Sequence, residues 1–205
     1  MIRHIAATIA TVLVCMSVPA QNAEAIISGL IGKIEKDGVK CEATIHSISN
    51  MDGDGAKATL KMKGERYCMT TPESSYWYDG KTLWYGITLD GDIIETYISY
   101  TTSEGAALSN PFLMMKHHEG FDISAPDSKT IELTAKDRKN GSYGIKEMTV
   151  ILDNGGFPSE IRLRMNTDDG FIIRIDRYAI GGIDDTDFTY PAAKWPDAEI
   201  IDLRL

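Results

Sequence analysis

The sequence predicts a mainly β protein with a few short helices: an open, antiparallel half-barrel whose apolar face is lidded by helix. Three observations carry that expectation. Short runs of alternating apolar and polar residues recur from residue 39 onward, each closed by a Gly- or Asp-rich turn. No strand–helix–strand rhythm appears, so a parallel sheet is not indicated. Only two other stretches have helical spacing, and a one-sided sheet needs a cover for its apolar face.

Met1-Ile2-Arg3-His4 is a short basic start, followed by a largely apolar run from Ile5 to Val18. Ala23-Glu24-Ala25 supplies a small-x-small cleavage pattern, and the apolar run falls short of the roughly 20 residues of a membrane span. Residues 1–25 read as a secretory signal peptide cut after Ala20 or Ala25. Residues 26–205 read as a single domain in the periplasm. Cys15 lies deep in the apolar run behind Val14, which does not suit lipidation.

Ile27, Leu30, Ile31 and Ile34 then fall on one helical face, and Asp37-Gly38 ends that helix. Gly29 and Gly32 weaken it by about 1 kcal/mol each, so it depends on what it packs against. Strands follow over 39–49, 56–62 and 67–70, with Leu60 and Met62 opposite Lys61 and Lys63. Runs at 76–78 and 83–87 flank Asp79-Gly80, and another at 93–100 follows Asp90-Gly91-Asp92. A second apolar helix is expected over 103–118, with Pro111 near its start or middle. Strands resume at 130–136, 145–152, 160–165 and 171–180, with turns at Asn154-Gly155-Gly156 and Asp168-Asp169-Gly170.

Composition narrows the function. A formal net charge of -9 argues against nucleic acid and anionic membrane surfaces, since phosphate contacts need a basic patch. No G-x-S-x-G, H-E-x-x-H or C-x-x-C motif is present, so no enzyme activity, cofactor or metal is expected. Asp52-Gly53-Asp54-Gly55 lacks the third acidic ligand and the later Glu of a calcium loop, and reads as a tight turn. His117-His118 reads as a helix end, and Asp184-Asp185-Thr186-Asp187 as a solvated helix start. His46 reads as a structural histidine in mid-strand. Cys41 and Cys68 enter an oxidising compartment, which permits either a disulfide or two buried free thiols.

What the chain does offer is adaptable apolar bulk. Met51, Met62, Met69, Met114, Met115, Met148 and Met165 join three tryptophans and several tyrosines. Methionine fills irregular spaces and suits permissive binding surfaces. Any one of these residues alone is ordinary core. Together, under weak helices, they predict an apolar groove. Its expected lining is Leu60, Met62, Tyr67, Met69, Trp77, Trp84, Leu133, Val150 and Leu163 from the strands, with Leu30, Phe112, Leu113 and Met115 from the helices.

Tyr76-Trp77-Tyr78-Asp79-Gly80-Lys81-Thr82-Leu83-Trp84-Tyr85 resembles the aromatic-flanked D-G-K-T-L-W hairpin of the LolA family. Leu60 to Tyr67 is similar to its lipid-facing strand and Lys-Gly turn, and Asn110-Pro111-Phe112 to the start of its central helix. The stretches from Phe188 to Pro191 and from Ala198 to Arg204 resemble the tails of LolA-like proteins, so the resemblance runs through the mature chain in order. It implies a monomeric periplasmic carrier that shields the acyl chains of lipoproteins. In that role it would take them from an inner-membrane ABC-type releaser to an outer-membrane acceptor. The family's latching Arg before a Pro at the second-strand turn has no counterpart in Lys63-Gly64-Glu65, which leaves the latch of the lid unassigned. The physics suits a carrier, because each CH₂ moved into water costs about 0.8 kcal/mol. The alternatives are a carrier of another lipid and an envelope-sensing regulator of the RseB type. Such regulators usually carry a second domain, for which the roughly 180 mature residues leave no room.

Overall fold

The computed structural model describes residues 20–204 apart from 52, 108, 109, 138–140 and 168. Most of the expected signal peptide, and the turn residues Asp52 and Asp168, lie outside the described residues. Helix α1 (Ala20–Asp37) leads into β1 (Val39–Ser47), β2 (Ala56–Lys63), β3 (Arg66–Thr70), β4 (Ser74–Tyr78), β5 (Thr82–Leu89) and β6 (Asp92–Tyr100). Two short helices follow, α2 (Ser103–Ala107) and α3 (Pro111–Lys116). The chain then returns through β7 (Phe121–Ser124), β8 (Thr130–Ala135), β9 (Ile145–Leu152), β10 (Pro158–Met165) and β11 (Gly170–Ile180). A C-terminal segment with two 3₁₀ turns ends in β12 (Glu199–Asp202).

These twelve strands form one sheet in the order β12-β6-β5-β4-β3-β2-β1-β11-β10-β9-β8-β7. Its ends do not meet, so the half-barrel is open as the sequence predicts. All pairings are antiparallel except β12 on β6, a parallel edge strand that the alternation pattern does not reveal. Two meanders, β2–β6 and β7–β11, are joined because β1 pairs with both β2 and β11. The hairpins follow local chemistry. Between β5 and β6, Asp90 (φ 51°) and Gly91 (φ 90°) both take positive φ, the geometry that matches the twist of a two-residue hairpin.

The single helix expected over 103–118 is two helices. Pro111 has no N–H and disfavours helical backbone at Asn110, which is extended (φ −140°, ψ 107°). Asn110 then caps α3, its side-chain oxygen accepting from the Phe112 N–H at 3.0 Å.

α1 and α3 pack on one side of the sheet, here the inner face. α1 touches β2, β11 and β7 and lies beside α3. Ile27, Leu30, Ile31 and Ile34 of α1 are all buried there, worth about 1.5–3 kcal/mol each in gross transfer free energy. That burial offsets the weakness imposed by Gly29 and Gly32, both exposed on the far side of the helix.

Candidate functional site

Strand register fixes which side chains share the inner face. Leu60 pairs with Met69 and Met62 with Tyr67; Tyr67 in turn pairs with Tyr78, and Met69 with Tyr76. In the other meander Leu163 pairs with Met148 and Ile161 with Val150, while Leu133 pairs with Met148. Paired residues point to the same side. The structure therefore brings Leu60, Met62, Tyr67, Met69, Leu133, Val150 and Leu163 together with Leu30, Phe112, Leu113 and Met115 in one cluster.

Eleven of the thirteen residues expected to line the groove meet on the inner face, but as a packed set. All except Met69 are buried, because α1 and α3 sit directly on the strands. The helices fill this part of the half-barrel.

Trp77 and Trp84 belong elsewhere. Trp77 pairs with Cys68 and with Trp84, one residue out of phase with Tyr76 and Tyr78, so both indoles point to the outer face. There they pack with Ile93, Tyr190 and Trp195 in a second cluster supplied by the C-terminal segment. The ring centroids of Trp77 and Tyr190 are 5.3 Å apart, edge to face. A large apolar side chain does not by itself say which of two covered faces it joins.

Register likewise corrects the disulfide. Cys41 pairs with Leu60 and Cys68 with Lys61, adjacent β2 residues that point to opposite faces. The two cysteines are also separated by one whole strand, about 9–10 Å from β1 to β3, beyond the roughly 7 Å limit for a bridge. Both are free thiols. Burial pushes Cys41 up to about 12 and Cys68 up to about 11.

An open apolar groove lies beside the packed region, on the inner face of β4–β6 where the helices stop. It measures about 480 Å³ and is lined by Tyr76, Leu83, Tyr85, Ile87, Tyr97, Ser99 and Leu203. Tyr76, Tyr85 and Tyr97 form a cross-strand ladder, with centroids 4.9 Å and 6.1 Å apart. The Tyr97 hydroxyl donates to Glu95 Oε2 at 2.8 Å, so the polar end of that ring is satisfied. The sequence expectation missed Leu83, Tyr85 and Tyr97. The alternation around Trp84 holds the signal, since choosing Trp84 for one face assigns Leu83 and Tyr85 to the other.

The groove borders the helical cover, which is held to the sheet by identifiable contacts. The Tyr67 hydroxyl donates to the Ala106 carbonyl at 3.1 Å. Lys116, at the end of α3, reaches Glu35 of α1 at 2.7 Å and Glu65 of the β2–β3 turn at 2.9 Å. Glu65 therefore occupies the turn at which the resemblance leads one to look for a latching Arg. The cation is on the helix and the anion on the turn. The Lys116 hydrogen bond holds Glu65 below the usual carboxylate range. Glu35 and Glu65, through their hydrogen bonds, raise Lys116 against its desolvation.

His46, expected as a satisfied structural histidine, is buried in β1 with its Nδ1 unpaired among the described residues; the other polar motifs fall where their chemistry suggests. His117 caps α3, and His118 Nδ1 lies 2.8 Å from the Met115 carbonyl oxygen. Asp184 opens a 3₁₀ turn, accepting from the Thr186 N–H at 2.9 Å. Among the described residues no group of three His, Cys, Asp or Glu side chains is placed to hold a metal, and no helix is long and apolar enough to cross a membrane.

No family model matches this sequence, and a search of curated proteins finds no match. Solved structures do align with it. The LolA superfamily protein NE2245 from Nitrosomonas europaea is 11% identical with a TM-score of 0.43, over 85% of this chain and 99% of that one. A putative outer membrane lipoprotein-sorting protein domain from Vibrio parahaemolyticus is 11% identical with a TM-score of 0.44, over 83% and 97%. A chain of the Pseudomonas aeruginosa MucA/MucB complex is 12% identical with a TM-score of 0.42. That alignment covers 83% of this chain but only 62% of the longer one. Alignments this loose carry no functional information, so the geometry of the groove has to stand by itself.

Proposed function

We propose that this protein is a periplasmic carrier that binds acyl chains, those of lipoproteins above all, and moves them between membranes without catalysis. The observation that supports this reading is the tyrosine-lined groove, open and apolar, beside the apolar face that α1 and α3 cover. An acyl chain entering over Tyr85 and Leu83 needs no hydrogen bonds and gains apolar contact at each CH₂. The groove is within the size range of single-ligand pockets. Further chains of the same cargo would have to take the place of α3.

That displacement is costly without cargo. Exposing Phe112, Leu113, Met114 and Met115 to water would cost roughly 6–12 kcal/mol on transfer values. An acyl chain that occupies the vacated surface offsets most of this. Cargo and lid thus compete for one apolar face, and release to a tighter acceptor needs no reacting residue. In this reading an inner-membrane ABC-type releaser and an outer-membrane acceptor are the partners.

Signal cleavage after Ala20 suits the same reading, because Ala23 is fully buried in the inner core and cleavage after Ala25 would remove it. N-terminal sequencing of the exported protein checks this.

The functional test is mass spectrometry of what co-purifies with the periplasmic protein, wild type beside Tyr85→Asp. Acylated lipoproteins on the wild type, lost from the variant, are expected. Wild type free of acylated material would refute the carrier, and a single signalling protein in its place would make the chain a sensor.

A further inference from the structure

The two edges of the open sheet are in different positions. β7, at one end, has α1 packed against it. β12, at the other, pairs with β6 on one side and with no strand on the other among the described residues. Leu203, the residue after β12, lines the tyrosine groove together with Tyr97 and Ser99 of β6. The free edge of β12 is therefore the rim of that groove.

Backbone parity fixes what the rim presents. The Leu203 N–H donates to the Ile98 carbonyl at 2.8 Å. Residues two apart in a strand turn their backbone groups the same way, so Glu199 and Ile201 also face β6. Ile200 and Asp202 then present their N–H and C=O groups to the open side. The next donor along, the Arg204 N–H, is already taken by Asp202 Oδ1 at 3.0 Å. Edge strands are ordinarily blunted by lysine, proline or a bulge. The four residues of β12 contain none of these, and the Asp202 charge is met by the Arg204 guanidinium. Ile200 and Leu203 stand exposed beside the open groups.

Position and charge together select the occupant. Two β12 strands meeting antiparallel about their centres would set Glu199 of each opposite Asp202 of the other, an unfavourable like-charge pairing. A second copy is thus a poor partner. A cargo held by its acyl chain is a better one. The packed helices bound the groove on one side and β12 bounds it on the other, so the polypeptide attached to a bound acyl chain leaves beside this rim.

We propose that the free edge of β12 takes the first residues of an acylated cargo's polypeptide as an added strand, while the acyl chain lies in the groove. This rests on the carrier reading and extends it from the lipid to the peptide. The contacts are main-chain hydrogen bonds at Ile200 and Asp202, so they suit any sequence that can extend. Acidic residues are disfavoured there, because Glu95 and Glu199 already sit side by side in register.

The test uses the full exported protein and displacement of a fluorescent fatty acid. The probes are laurate, an N-lauroyl hexapeptide amide of serine, alanine and lysine, and two backbone N-methylated forms of that peptide. One form is methylated at its second and fourth residues, the other at its third and fifth. The unmethylated peptide should bind about tenfold more tightly than laurate. One methylated form should fall back to the laurate level and the other should not, because only alternate residues of an added strand face β12. Ile200→Pro removes one N–H from the rim and spares those of Ile201 and Leu203, which face β6. It should weaken the unmethylated peptide about fivefold and leave laurate binding unchanged, which shows that the variant is folded. Failure of laurate and peptide alike to bind would remove the carrier reading itself. Laurate binding with both methylated forms equal to each other, whether tight or weak, would overturn the added strand alone. So would full peptide affinity in Ile200→Pro, or a ligand-free dimer that Ile200→Pro abolishes.

Discussion

If Lys116 latches the helical lid, removing its charge should make the lid easier to displace and the cargo easier to load. The variant Lys116→Met keeps most of the aliphatic stem and loses both ion pairs. The magnitude follows from exposure. The Lys116 side chain is 25% exposed, Glu65 37% and Glu35 45%, so solvent screens both pairs. Exposed pairs are worth about 0–1 kcal/mol each. Taking about half of that range for each gives roughly 1 kcal/mol for the latch, or about a fivefold shift in the opening equilibrium. Two observables should move together. The His117 amide, bonded to the Leu113 carbonyl at 2.9 Å, and the Met114 amide, bonded to Asn110 at 3.1 Å, should exchange about fivefold faster. A fluorescent triacylated lipopeptide, whose further chains have to take the place of α3, should bind about fivefold more tightly, because apparent affinity scales with the population of the open form. High salt should reproduce part of this in the wild type. Faster exchange with unchanged affinity would show that the lid does not gate the site. Unchanged exchange would show that Lys116 does not hold the lid.

Three further outcomes are expected. The folded-state pKa of Glu65 lies below its unfolded value, so its share of lid stability is present above about pH 4.5 and is lost as pH falls through the depressed value. Amide exchange of α3 in acid, corrected for intrinsic rates, should accelerate there in the wild type and much less in Glu65→Gln. Denatured, unreduced protein should alkylate both Cys41 and Cys68; one disulfide per chain by mass would contradict the strand register. Gly29→Ala and Gly32→Ala meet nothing within 4 Å and sit in helical backbone, so each should stabilise the fold by about 0.5–1 kcal/mol. A fall in thermal midpoint for either would mean that this side of α1 is not free.

Much of the fold is legible in the sequence because it is written in local chemistry. Asp90-Gly91 and Gly64 turn the chain where their backbone freedom permits, and the alternation at Leu60 and Met62 points those side chains inward. The site is less legible for two physical reasons. A β-strand records two faces with equal weight, and sequence does not mark which one a helix will cover. Trp77 and Trp84 look inward only until the C-terminal segment is seen to provide a second cover for them. The open groove depends on where the helices stop, which is a matter of packing distance: α1 reaches β2 but leaves Tyr85 and Tyr97 uncovered. The latch was hidden because its charges are exchanged between helix and turn. The strand β12 escapes notice because a four-residue parallel edge has no hairpin turn to announce it.

The double pairing of β1 bears on how the molecule is assembled in time. Each meander closes between sequence neighbours and can form quickly, as hairpins do on the microsecond scale. The seam between them cannot, because Val39 must find Ile180 across nearly the whole domain. A chain that emerges N-terminus first therefore releases β1 and the apolar stripe of α1 long before β11 exists to receive them. Until that seam closes, one edge of β1 and the whole underside of α1 are sticky. Termination or proteolysis before residue 170 would leave them so for good, and aggregation, more than loss of cargo binding, would be its first symptom.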